Sequence, residues 1–233
     1  MNTDGDAIVK GGIFLDDLGN NEWSKSLNIF DSDADGRSAF MMLGLTHEVG
    51  VAADGTLAGE HEIVGVYCVT LIWAHRGSRL RAPENTILAY ELALASGADG
   101  IELDVHLTSD GHVVCRHDET VAMPDGSRAL IRDLTLDRLR SADVGSEASG
   151  PLPVPTLAEV FALVAPTAAA LNIDIKNGPV LYQGIEEALI VAHRASGMSE
   201  RIVYSSFNHL TLVALRELEP SVSIAPLYEE ALV

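Results

Sequence analysis

Gly100-Ile101-Glu102-Leu103-Asp104-Val105 is the stretch on which the fold turns. Its aliphatic residues alternate with two carboxylates. Side chains alternate along a strand, so Glu102 and Asp104 share one face and Ile101, Leu103 and Val105 the other. Working outward, short β-branched and aliphatic runs mark further strands near 67–74, 112–116, 171–175, 202–205 and 222–227. Helical patterns lie between them. One opens at Pro83-Glu84-Asn85-Thr86, with Asn85 or Thr86 as N-cap, and stops at Gly97. Thr135 caps a helix over 136–142, and Thr156-Leu157-Ala158-Glu159 reads as a capping box. A longer helix is expected over 180–196, and Asn208 caps 209–218 ahead of Pro220. Strands alternating with helices predict an α/β fold on a parallel sheet. Residues 1–65, rich in Gly, Asp and Asn with broken periodicity, read as an unassigned N-terminal extension. The β/α unit is expected over 66–233.

The 233 residues hold 15 Lys+Arg against 34 Asp+Glu, a formal charge of −19. Nucleic acid and anionic lipid need clustered cations, so neither is expected as a partner. Lysine occurs only at positions 10, 25 and 176, which makes Lys176 conspicuous. Cys68 and Cys115 sit in apolar runs and read as small buried hydrophobes rather than a disulfide pair. The N-terminal Met-Asn-Thr-Asp-Gly-Asp lacks the apolar core of a signal peptide. The longest apolar run, 63–74, is too short to span a bilayer. A cytoplasmic protein without stable membrane insertion is expected.

The chemistry collects where strands end. Leu71-Ile72-Trp73-Ala74 runs into His75-Arg76-Gly77. The central strand carries Glu102 and Asp104. His112-Val113-Val114-Cys115-Arg116 runs into His117-Asp118. Leu171-Asn172-Ile173-Asp174-Ile175-Lys176 carries Asp174 and Lys176, again two apart. Each pair alone reads as well as a solvated edge, a turn or a salt bridge. Together, three carboxylates converging on one point repel one another, and a divalent cation relieves that repulsion. All-oxygen ligands favour Mg²⁺ or Ca²⁺ over zinc. Two histidines, an arginine and a lysine beside such an ion can bind phosphate and move protons.

These words, in this order, resemble the glycerophosphodiester phosphodiesterase family over about 71–227. The resemblance rests on His75-Arg76-Gly77, Pro83-Glu84-Asn85-Thr86, the run Gly97 to Val105, Thr108-x-Asp110-Gly111 and His117-Asp118. It continues through Leu134-Thr135-Leu136, Pro155-Thr156-Leu157, Ile173-Asp174-Ile175-Lys176 and Ser206-Phe207. The resemblance implies a (βα)₈ TIM-type barrel and metal-dependent hydrolysis of glycerophosphodiesters to sn-glycerol 3-phosphate and an alcohol. It implies that His75 and His117 are the acid/base pair and that Glu102 and Asp104 bind the metal. Arg76 and Lys176 match the phosphate-contacting cations. Asp174 stands where the family usually has a metal-binding Glu. The shorter side chain moves its carboxylate by roughly 1.5 Å, which predicts weaker metal binding.

Six strands are legible, and a full barrel typically takes ~250 residues, so the barrel is expected to be incomplete at its C-terminal side. Three completions stand open: a truncated chain, closure by residues 1–65 in a non-standard order, or closure by a partner chain as a homo-oligomer. Rival readings are a lysophospholipase D, a sphingomyelinase-D-like lyase, and an inactive barrel serving as a binding module. Asp31-Ser32-Asp33-Ala34-Asp35-Gly36 has the spacing of half a calcium loop, but Met42 falls where the bidentate Glu belongs. It reads as an Asp-rich surface turn. His193 and His209 read as structural or solvent-facing. His106 shares the parity of Glu102 and Asp104 and is the histidine nearest to joining the site.

Overall fold

The computed structural model describes residues 13–17, 23–27, 31–32, 37–43 and 68–228. Strands β1 (Ile13–Asp17) and β2 (Trp23–Leu27) form an antiparallel pair of their own. Strand β3 (Asp31–Ser32) pairs antiparallel with β4 (Arg37–Leu43), and β4 pairs antiparallel with β5 (Cys68–His75). Next come α1 (Ile87–Ala95), β6 (Gly100–Leu107) and β7 (Val113–Cys115). A small hairpin, β8 (Thr120–Ala122) and β9 (Arg128–Leu130), leads to α2 (Leu136–Leu139) and α3 (Leu157–Val164). The chain continues through β10 (Ala170–Ile175), α4 (Ile185–Ala195), β11 (Ile202–Ser206), α5 (His209–Leu218) and β12 (Ser223–Pro226).

The main sheet has the order β12-β11-β10-β6-β5-β4-β3. Strands β5, β6, β10, β11 and β12 are parallel neighbours. This is the β/α-barrel type of fold, laid out over part of a barrel. The half calcium loop expected at 31–36 is described only at Asp31 and Ser32, which lie in β3; 33–36 lie outside the described residues.

Alternation along β6 explains the layering. Ile101, Leu103 and Val105 point away from the barrel axis, as do Leu171, Ile173 and Ile175 of β10. They are buried against Tyr90 of α1, Leu157, Val160 and Val164 of α3, and Ile185 and Leu189 of α4. Burying each such side chain contributes roughly 1.5–3 kcal/mol. That outer layer offsets the cost of the inner face, where Glu102, Asp104, His106, Asn172 and Asp174 are all buried as well. Trp73 of β5 is buried at the level where β6 begins. A Cβ on Gly100, its register partner on β6, would lie 2.7 Å from the Trp73 ring, so only glycine leaves room for the indole.

The capping signals act as read. The Thr86 side chain accepts from the Ala89 N–H, Thr135 from Arg138, and Asn208 from Leu210. Thr156 and Glu159 form a full capping box at α3. Two expectations change. The strand at 112–116 is not a parallel stave. β7 returns antiparallel along β6, with Val105 opposite Cys115. Only Thr108–His112 separate the two strands, Gly111 takes φ +84, and Thr108 accepts the His112 N–H. A parallel neighbour needs a crossover of about a dozen residues, and a turn this short allows only a hairpin. The helix expected over 180–196 begins at Ile185. Asn177 captures the Tyr182 N–H at 2.7 Å and holds 180–184 as a loop, and Gly184 enters the helix at φ +86.

Candidate active site

Register builds the site. Glu102 lies opposite His75 on β5 and Asn172 on β10, and one inward step further Asp104 lies opposite Asp174. Glu102, Asp104 and Asp174 each bring one carboxylate oxygen to within 4.8 Å of the others. Two ligands of one hard cation at about 2.0–2.6 Å are separated by no more than about 5 Å, so this spread fits a shared ion. Burial, and then the charges of Asp104 and Asp174, push Glu102 well above the usual carboxylate range. Burial likewise raises Asp174 against the pull of Lys176. Asp174 Oδ1 is buried with no hydrogen-bond partner. A buried oxygen of this kind is costly unless something binds it. The donor set and the orphaned oxygen both fit a divalent cation.

Lys176 partly does that work. Its Nζ stands 2.8 Å from Asp104 Oδ1 and 2.5 Å from Asp174 Oδ2. Burial would raise Asp104, but Lys176, Arg76 and the hydrogen bonds from Lys176 and Asn85 outweigh it and hold Asp104 low. Burial would lower Lys176, and Asp174 and Asp104 outweigh that too, raising it. An ammonium has three donors, so one remains for a ligand.

The turn after β5 is bent tightly. Arg76 and Gly77 both take positive φ, at 58° and 84°. The bend points the Arg76 N–H at Glu102, whose Oε2 accepts it at 3.1 Å. The Arg76 guanidinium lies with Nε 3.1 Å from Asp104 Oδ2 and Nη1 3.1 Å from Glu84 Oε1. His75 Nε2 approaches Glu102 Oε2 at 3.7 Å. Burial, then Arg76 and Arg79, lower His75 to about 4. At neutral pH the ring is uncharged, and the 3.7 Å approach is not an ion pair.

His75, Arg76, Glu102, Asp104, Asp174 and Lys176 thus converge. His117 stands further out. Its imidazole Nδ1 is 2.9 Å from Asp118 Oδ1, and its side chain is 39% exposed. It is attached through the main chain. Arg116 N donates to Asp104 O at 3.0 Å, and His106 Nε2 meets His117 O at 3.1 Å. His106 is therefore a buried support of the His117 segment. His193 is buried against the Tyr204 hydroxyl at 3.1 Å, and His209 is exposed. Cys115 is buried and free; the Cys68 side chain lies outside the described residues.

Asn85 is the site residue that sequence reading missed, since it is not the cap. At φ 54 it turns inward, donates Nδ2 to Asp104 Oδ2 at 2.8 Å, and accepts from the Tyr90 hydroxyl at 2.9 Å. Its Oδ1 also accepts the Asp104 N–H at 3.2 Å. Asn tolerates the left-handed conformation better than most residues, which lets it take this position.

Acidic residues, a lysine and an arginine gathered toward the C-terminal ends of parallel strands form a centre of the kind β/α barrels carry there. The family model described as the glycerophosphoryl diester phosphodiesterase family matches residues 75–233, and the chain belongs to that family. It is 45% identical over 167 residues to a glycerophosphodiester phosphodiesterase of Caldanaerobacter subterraneus subsp. tengcongensis, covering 70% of this chain and 69% of that protein. A solved glycerophosphodiester phosphodiesterase of Agrobacterium tumefaciens superposes with TM-score 0.57 at 28% identity, over 64% of this chain and 63% of that one. An Oleispira antarctica phosphodiesterase in complex with the product sn-glycerol-3-phosphate gives TM-score 0.54 at 31% identity, over 65% and 63%. The chain thus spans somewhat under two thirds of these solved relatives. Among the described residues no helix is long and apolar enough to cross a membrane.

Proposed function

We propose that the chain hydrolyses glycerophosphodiesters to sn-glycerol 3-phosphate and an alcohol, with Mg²⁺ or Ca²⁺ at the acidic centre. The observation that carries this reading is the buried Glu102–Asp104–Asp174 group with Arg76 and Lys176 against it. The product named in the Oleispira antarctica structure fits the same chemistry.

A cation held by Glu102, Asp104 and Asp174 supplies Lewis acidity toward a phosphoryl oxygen. The remaining donor of Lys176 and the Nη2 of Arg76 bind the phosphate oxygens and stabilise the charge that grows in the transition state. Asn85 and Glu84 hold Asp104 and Arg76 in place for that contact. Of His75 and His117, one accepts a proton from the nucleophile and the other delivers one to the departing alkoxide. The nucleophile is water or the neighbouring glycerol hydroxyl. The extension over 1–65 and the barrel unit over 66–233 are proposed as the two parts of the chain. The reading places the protein in the cytoplasm, in the turnover of deacylated phospholipid head groups. A second copy covering the open sheet edges belongs to the same proposal.

The test is a coupled assay for glycerol 3-phosphate released from glycerophosphocholine, with Mg²⁺, Ca²⁺ or EDTA. Metal-dependent release, abolished by His117→Ala, is the expected result. No release from folded, monodisperse protein with either metal overturns the reading.

A further inference from the structure

His106 and Tyr182 take no part in the reaction described above, yet both are buried, at 1% and 4% exposure. His106 lies one inward position beyond Asp104 on β6. Its Nε2 is 3.1 Å from the His117 carbonyl oxygen, and its Nδ1 is 2.8 Å from the Tyr182 hydroxyl. A carbonyl oxygen only accepts, so Nε2 carries the proton and donates to His117. In a neutral ring Nδ1 is then the acceptor, and Tyr182 donates to it. The tyrosine hydroxyl thereby selects the tautomer that grips His117.

Tyr182 is itself anchored. Asn177 Oδ1 accepts its N–H at 2.7 Å. Asn177 Nδ2 donates to Thr211 of α5 at 2.9 Å and to Glu186 of α4 at 3.1 Å. A continuous line of hydrogen bonds therefore runs from two helices, through the loop after β10, to the main chain of His117. Among the described residues the His117 ring has no comparable hold. Its partner Asp118 is 52% exposed at the side chain, and an exposed pair of this kind contributes little. The main chain therefore decides where the ring stands.

We propose that His106 and Tyr182 are a positioning pair that fixes the backbone of His117 and so aims its imidazole at the reacting phosphodiester. The proposal rests on the assignment of His117 to proton transfer. A displacement of about 1 Å in a reacting group can cost about a hundredfold in rate, so a hydrogen bond to the main chain of His117 itself matters. The competing account is a buried histidine that merely satisfies its neighbours. The two differ in what a partial replacement restores. The amide N–H of glutamine reaches roughly where Nε2 stands, whereas leucine fills the space without a donor.

The experiment measures kcat and KM of the full chain on glycerophosphocholine with Mg²⁺ for His117→Ala, Tyr182→Phe, His106→Gln, His106→Leu and the double variant His106→Gln/Tyr182→Phe. The expected result is a loss in kcat of about tenfold for Tyr182→Phe, with KM held within about twofold. His106→Gln retains at least about tenfold more kcat than His106→Leu. Adding Tyr182→Phe to His106→Gln costs nothing further, because the acceptor of the hydroxyl has gone. Equal losses in the Gln and Leu variants, or additive losses in the double variant, overturn the pair. A null His117→Ala beside fully active Tyr182→Phe and His106→Leu overturns the pair and leaves the proposed function standing. Full activity in His117→Ala overturns the assignment of His117 and the pair with it. Amide hydrogen exchange at 116–119 is read on the same proteins independently of turnover. It rises in Tyr182→Phe if the pair holds the segment, and unchanged exchange overturns the pair whatever the activity.

Discussion

Asp174 sits in register with Asp104, and its Oδ1 has no hydrogen-bond partner although it is buried. One more methylene would carry the carboxylate roughly 1.5 Å further from its strand. Asp174→Glu is therefore expected to tighten Mg²⁺ or Ca²⁺ binding severalfold, read by titration calorimetry. Unchanged or weaker binding would remove Asp174 from the ligand set. The acidic residues and Lys176 were legible because a strand repeats every two residues, and parity alone puts 102 with 104 and 174 with 176. Asn85 and Tyr182 were not legible. Asn85 meets Asp104 across 19 residues of sequence, and Tyr182 meets His106 across 76. Nothing local in either stretch announces a partner that far away.

At the scale of elements, the turn joining β5 to α1 is tightly constrained. Gly77 has φ +84, and a Cβ there would fall 2.7 Å from Ala89 Cβ and 2.8 Å from the Ala89 carbonyl carbon. The clash is partly with backbone, so it cannot be relieved by a rotamer. Gly77→Ala is expected to cost about 2 kcal/mol or more and to lower activity through Arg76, as measured by urea denaturation and the glycerol 3-phosphate assay. A wild-type midpoint would show that the turn relaxes freely. The capping residues Thr86, Thr135, Thr156 and Asn208 were readable because a cap is a local contact of two or three residues. The direction of β7 was misread for a different reason. Its apolar run looks like a barrel strand, and only the shortness of the turn at Thr108–His112 shows that it must come back antiparallel.

Across the whole molecule, the apolar layer outside the sheet and the charged layer inside it respond to pH in different ways. His193 is buried beside Tyr204, and burial lowers its pKa below 6.5. The unfolded chain binds a proton there that the folded chain refuses. Its contribution to stability is therefore present above about pH 6.5 and is lost as pH falls below it. Denaturant midpoints are expected to drop from pH 7 to pH 5, and His193→Gln is expected to flatten part of that slope. Parallel slopes in the two proteins would show that His193 binds protons equally in the folded and the unfolded chain. The layer order itself was legible, since alternating and unbroken apolar runs assign each face of β6 and β10. The way the sheet continues past β5 was not. Closure by residues 1–65 was one of three options, and among the described residues β4 and β3 extend the sheet antiparallel from β5, with β12 and β3 as its edges.

The β6–β7 hairpin also bears on how quickly the centre comes together. The contact between His106 and His117 closes only 11 residues of chain, whereas that between His106 and Tyr182 closes 76. By the logarithmic law of ring closure the longer loop costs about 1.7 kcal/mol more entropy. The hairpin is thus expected to deliver Glu102, Asp104 and the His117 segment as one locally encoded unit, ahead of the longer-range contacts. Asp174, Lys176 and the Tyr182 loop, which reach the centre only through β10, are expected to follow it.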